Sequence, residues 1–201
     1  LYLTGVNDKV IISFSGHGLV SKKYDYFLSG YNTDFSNPER GGIPYEDIEY
    51  LLDSIPARKK LLLIDACHSG EVDKEEGIAM QRMADSLGLT KGIIIDDSTI
   101  QTQQLGLKNS FELMQSLFVN VDKSTGATII SAAAGNQFAL ERGDLKNGVF
   151  TYSLLEAMDK NKTIKISELK KIVGERVEQL TNGMQKPTSR NEMIAVDWSL
   201  W

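Results

Sequence analysis

Cysteine is almost missing from this chain. Cys67 is the only one in 201 residues, so no disulfide can form within the chain and a packed core must hold it together. Such cysteine usage fits a reducing, cytoplasmic setting. Long hydrophobic runs are missing too: no apolar stretch approaches the roughly 18 to 20 residues that span a bilayer, and Leu1 to Asp8 shows no basic segment leading into an apolar one. Prolines number 4, and there is no internal repeat or low-complexity tract, which leaves no obvious linker and points to one domain over 1–201. Positive charge is in deficit, with 22 Lys and Arg against 27 Asp and Glu, a net charge of −5 and a pI near 5.1. Phosphate backbones and anionic lipids attract the opposite balance, so neither nucleic acid nor membrane is expected as a partner.

What is present is the composition of an ordinary globular protein, 41% hydrophobic and 24% charged. Three short apolar runs, Val10 to Phe14, Leu61 to Ile64 and Thr128 to Ala133, lack helical period and end in small or polar residues. They read as strands buried on both faces, the centre of a parallel sheet. Between the first two, Ile48, Leu51, Leu52 and Ile55 repeat at helical spacing and Pro56 marks the stop, which predicts a crossover helix over Pro44 to Ile55 and hence a βαβ unit. Further helices are predicted over Phe150 to Met158 and over Ser167 to Leu180, with Ser167 as N-cap. The segment from about 71 to 125 reads as an insertion: it opens on the charged stretch Glu71 to Glu76, passes a short strand at Ile93 to Ile95, and holds an amphipathic helix from Ser110 to Val121. At the start, a buried-type strand at Val10 would be hazardous as an open edge, so an upstream segment or companion chain is expected to pair with it.

Two clusters carry chemistry. Ser13-Phe14-Ser15-Gly16-His17-Gly18 follows the first predicted strand and Leu63-Ile64-Asp65-Ala66-Cys67-His68-Ser69-Gly70 the second. In open parallel sheets, groups past the carboxyl ends of neighbouring strands converge on one crevice, so the βαβ unit sets His17 beside Cys67. Gly16 and Gly18 are expected to turn the backbone sharply around the imidazole. A free thiol has a pKa of about 8.5 and needs a base at neutral pH. His17 supplies one, and the backbone amides of Gly18 and Cys67 are candidate donors to the oxyanion that thiolate attack on an amide would create.

These clusters resemble the caspase and metacaspase clan of cysteine peptidases, whose members carry a Ser-Gly-His-Gly-like turn and an Asp-x-Cys-x-x-Gly-like turn on adjacent strands. The likeness extends over Val10 to Gly70 and resumes at Ala127 to Met158, where Ser131-Ala132-Ala133-Ala134-Gly135-Asn136-Gln137 precedes Asn147-Gly148-Val149-Phe150-Thr151-Tyr152. It implies an α/β fold, a caspase-like three-layer α/β/α sandwich around a mostly parallel sheet, with the first strands and helix lying upstream. It implies a cysteine endopeptidase acting on protein substrates without a cofactor. In this clan the residue two before the nucleophile lines the pocket for the side chain preceding the scissile bond, and an acid there goes with Arg or Lys specificity. Here that residue is Asp65, and a buried carboxylate would pair with a guanidinium. Metacaspases carry another acid after the next strand, whereas this chain has Gly135-Asn136-Gln137. Glu141 is the nearest acid that could substitute, and with Ser131 it completes the expected substrate-binding set. Basic specificity would also make Lys74, Arg82 or Lys91 self-cleavage sites.

Plainer readings stand beside these. A lone cysteine after an apolar strand is commonly core, and Asp65 could be a carboxylate accepting backbone amides at a strand end. His68 is the rival base, better placed for a structural or pocket-rim role. A zinc site from His17, Cys67 and His68 lacks the usual ligand spacing, so no metal is expected, and Asp96, Asp97 and Asp122 are simpler as turn or surface residues than as a calcium loop. A silent caspase-like module that binds signalling partners, or a thiol acyltransferase, would share the same pair of residues.

Overall fold

Alternation along three central strands decides the layers. The computed structural model describes residues 1, 3–21, 23, 25–68, 89–91, 126–133, 139–191 and 197–201, with side chains at all of these except 67, 68, 89–91 and 191. The predicted apolar runs appear as β1 (Lys9–Val20), β4 (Lys59–His68) and β6 (Ala127–Ser131), side by side and parallel. Antiparallel strands flank them: β2 (Tyr26–Leu28) and β3 (Ile43–Pro44) on one side and β9 (Thr188–Asn191) on the other. Among the described residues the main sheet therefore runs β3-β2-β1-β4-β6-β9, and a smaller one joins β5 (Leu89–Lys91), β7 (Leu140–Arg142) and β8 (Asn147–Gly148) in the order β5-β7-β8.

Successive residues of β4 feed opposite layers, as a strand buried on both faces must. Leu62, Ile64 and Ala66 pack with Tyr45 and Leu52 of α1 (Tyr45–Ser54). Leu61 and Leu63 pack on the other face, against α2 (Val149–Lys160) and α3 (Ile166–Leu180). On α3 the buried residues Ile166, Leu169, Val173 and Val177 form one stripe at helical spacing. Truncating Leu169, fully buried in that stripe, to Ala would cost about 2–5 kcal/mol. Buried Lys60 closes α1 from the next strand, its Nζ donating to the carbonyls of Leu52 at 2.7 Å and Ile55 at 3.2 Å, where a cation suits a helix C-terminus. The α/β/α sandwich is thus present.

Three local expectations change. β1 and β4 do not end at Phe14 and Ile64 but run on to Val20 and His68, because each continues to find a partner: Gly18–Val20 pair with β2, and Gly16, His17 and Gly18 stay in register with Ala66, Cys67 and His68. Gly16 makes no turn. A Cβ there would stand 2.8 Å from Cζ of Phe14 and 3.3 Å from Oγ of Ser29, so the glycine lets the Phe14 ring and the Ser29 hydroxyl lie close over the strand. Ser167 is not the N-cap of α3 either; that position is Lys165, which makes no side-chain cap. Ser167 lies inside the first turn, and Asp197 accepts from its amide at 3.0 Å and its hydroxyl at 2.7 Å.

Ahead of Gly18, the edge of β1 facing β2 pairs with no strand among the described residues. Ile11, Ser13 and Ser15, in register with Leu61, Leu63 and Asp65, are exposed on the sheet face those residues share. Of the expected insertion, only Leu89–Lys91 falls among the described residues; the strand at Ile93 to Ile95, the helix from Ser110 to Val121, and Lys74, Arg82, Asp96, Asp97 and Asp122 lie outside them, as does Gly135-Asn136-Gln137.

Candidate active site

His17 and Cys67 occupy one rung of the β1–β4 ladder. They are direct register partners on neighbouring parallel strands, which sets their Cα atoms about one strand spacing apart, roughly 4.8 Å. In-register positions of a parallel pair share a face, and Leu61, Leu63 and Asp65 on β4 mark that face as the one carrying α2 and α3. The crossover through α1 brings together residues fifty positions apart in the chain.

The backbone of His17 is fixed from the opposite side by Ser29, which follows β2. The Ser29 amide donates to the His17 carbonyl at 2.8 Å, and the His17 amide donates to Ser29 Oγ at 3.0 Å. The half-buried imidazole meets the Phe35 ring edge-on, with centroids 5.3 Å apart and planes at 70°, a favoured aromatic geometry. Phe35 belongs to a loop whose shape is set internally: Thr33 Oγ1 donates to the Gly41 carbonyl at 2.8 Å and accepts from the Gly30 amide at 2.6 Å. Gly41, at φ +84°, could not be replaced without strain, since a Cβ would lie 2.6 Å from the Asn32 carbonyl oxygen. The imidazole thus borders a preorganised loop.

Asp65 is buried and caps α2 from a strand 86 residues earlier in sequence. Its Oδ2 accepts from the Thr151 amide at 3.1 Å and closely from the Thr151 hydroxyl. Thr151 is the third residue of the helix, where an orphan N–H calls for an acceptor. Gly148 leaves the room: a Cβ there would stand 2.6 Å from Asp65 Oδ2. Burial pushes the Asp65 carboxyl above the ordinary carboxylate range; the two bonds from Thr151 oppose that shift, and the negative charge of Glu141 adds to it. Glu141, exposed on β7, faces Gly148 across the β7–β8 pair.

The other expected site residues fall as follows. Ser131 is buried and in register with Ile64, hence on the α1 face, away from Asp65, with its hydroxyl 3.4 Å from the Ala133 carbonyl. Gly18 is buried within β1, between Leu28 and His68, as a ladder position rather than a turn. Lys91 lies in β5 opposite Leu140, so cleavage there would require that pairing to open. The side chains of Cys67 and His68, and with them any zinc set, lie outside the described residues. No described helix is long and apolar enough to cross a membrane.

A family model, the caspase domain, a peptidase family, matches residues 5–197. The chain belongs to the caspase-domain family. Among solved structures, this caspase domain is similar to a crystal structure of a protein from Geobacter sulfurreducens, at 19% identity and a TM-score of 0.49, the match covering 91% of this chain and 66% of that one. No curated protein matches. Membership makes a cysteine peptidase a possible activity. Ser29, Phe35, Gly148 and Thr151 had no assigned role in the sequence reading. Only Thr151 and Gly148 had a signal, since both stand in the Asn147-to-Tyr152 stretch that carried the resemblance.

Proposed function

We propose that this caspase domain is a cysteine endopeptidase that cuts protein substrates after Arg or Lys. The observation that carries the proposal is the register pairing of His17 with Cys67 on adjacent parallel strands. In the proposed reaction the imidazole of His17 takes the proton from the Cys67 thiol, and the thiolate attacks the scissile carbonyl. The amides of Gly18 and Cys67 are the proposed donors to the oxyanion, that of Gly18 on release from its ladder position between Leu28 and His68. The C–N bond breaks as the imidazolium protonates the leaving amine; water, deprotonated by the same ring, then releases the acyl group and restores the thiol.

Specificity rests on Asp65 and its acidic neighbour Glu141, whose charge bears on it. Two acids at one corner of the site favour a substrate cation and reject an acidic side chain. The same preference makes Lys74, Arg82 or Lys91 the proposed site of self-cleavage, Lys91 only with its pairing to Leu140 opened, and the edge of β1 ahead of Gly18, unpaired among the described residues, is the place proposed for a companion strand.

Fluorogenic peptides test the reading. An Arg-ended peptide should be turned over faster than its Asp-ended counterpart, Cys67→Ala should abolish turnover, and His17→Ala should reduce it by roughly 10²- to 10⁴-fold. Faster cleavage of the Asp-ended peptide, or turnover undiminished in Cys67→Ala, would contradict it.

A further inference from the structure

We infer that Thr151 is the positioning residue of the specificity pocket, holding the Asp65 carboxylate ionised and aimed for a cationic substrate side chain. The inference rests on the basic-specificity reading above and adds to it a residue that never touches substrate. Its ground is geometric. The two Thr151 donors converge on a single carboxylate oxygen, Oδ2, and among the described residues no hydrogen bond lands on Oδ1. Gly148 flanks the same oxygen so closely that no side chain would fit between them. The carboxylate is thereby clamped on one edge by the first turn of α2, with the other edge left to recognise a guanidinium or ammonium group.

The clamp answers a difficulty that burial creates. A carboxyl removed from water tends to take up a proton, and a protonated Asp65 would lose its attraction for Arg or Lys. The titratable groups around it do not help. Glu141 on β7 adds negative charge; Cys67 follows two residues on along β4, and His17 stands two residues beyond Ser15, the register partner of Asp65 on β1. Hydrogen bonds that favour the ionised form come from Thr151, at a helix N-terminus where a negative charge is also stabilised by the backbone dipoles. Without the hydroxyl, the carboxyl would rise further and the pocket would lose its charge at a higher pH.

The test compares wild type, Thr151→Val and Thr151→Ser on an Arg-ended fluorogenic peptide across the acid range. Thr151→Val should raise KM roughly tenfold or more, the contribution of a hydrogen bond to a charged group, with kcat little changed. Its acid limb in kcat/KM should move to higher pH, and Thr151→Ser should restore both. Asp65 is followed in parallel by carboxyl carbon NMR, which needs no turnover: its titration should move to higher pH in Thr151→Val and return in Thr151→Ser. A KM, an acid limb and a carboxyl titration that coincide in all three proteins would overturn the inference. If wild type fails to cut the Arg-ended peptide, the specificity reading falls, and the role of Thr151 falls with it only if the carboxyl titration is also unmoved.

Discussion

The first turns of α2 and α3 are closed by the same device in opposite surroundings. In each, an aspartate from a distant segment accepts from both the amide and the hydroxyl of one residue: Asp65 from Thr151, and Asp197 from Ser167. Asp197 is exposed, and the amide and then the hydroxyl of Ser167 hold its carboxyl below the ordinary range. Its contribution to folding is present above the ordinary carboxylate pKa and is lost as pH falls through its own lower value. Asp65 is buried, and that burial outweighs the same pair of bonds, holding its carboxyl high. Its contribution is present below the ordinary pKa and is lost as pH rises through the raised one, so at neutral pH the ionised form works against stability. One cap serves the fold; the other, in the proposed pocket, would hold a charge that burial discourages, two residues before the register pairing of His17 with Cys67.

The comparison can be broken from either end. Asp65→Asn keeps an oxygen that can accept from Thr151 but removes the charge. It should cut kcat/KM on an Arg-ended peptide by roughly 10²-fold, the scale of losing one member of a buried charge pair, while the melting temperature at neutral pH stays the same or rises. Peptide kinetics beside thermal unfolding checks this; a parallel fall in both would make Asp65 an ordinary cap. Asp197→Ala is the smaller, mirror-image change. It should cost about 1 kcal/mol in urea unfolding at neutral pH, less at acid pH, and leave kcat/KM untouched. An activity loss there would show that the two helix starts are not independent.

Much of this was legible in local pattern. Apolar runs at Val10, Leu61 and Thr128 announced the three parallel strands, and the helical spacing of Ile48, Leu51 and Leu52 announced the crossover that brings His17 to Cys67. What local pattern does not carry is partnership at long range. Nothing in Gly16-His17-Gly18 says that β2 will return to pair with its end and keep it extended; taken alone, two glycines read as a turn. Ser167 looks like an N-cap by position, and only the return of the chain to Asp197 shows the cap arriving from elsewhere. Asp65 was open to two readings, pocket acid or acceptor of backbone amides. Its bonds to Thr151 make it an acceptor, at a helix start rather than at its own strand end, and leave one oxygen for the pocket reading to use.

Because Cys67 is the only cysteine in the chain, its reactivity can be read without ambiguity, and that gives the most direct test of the central claim. The measurement is the rate of alkylation by iodoacetamide between about pH 5 and 9 in wild type and in His17→Ala. The account predicts that wild type reacts well below the ordinary thiol pKa of about 8.5 and that His17→Ala reacts only as an unassisted thiol would, its profile moved to higher pH. Superimposable profiles in the two proteins would contradict it.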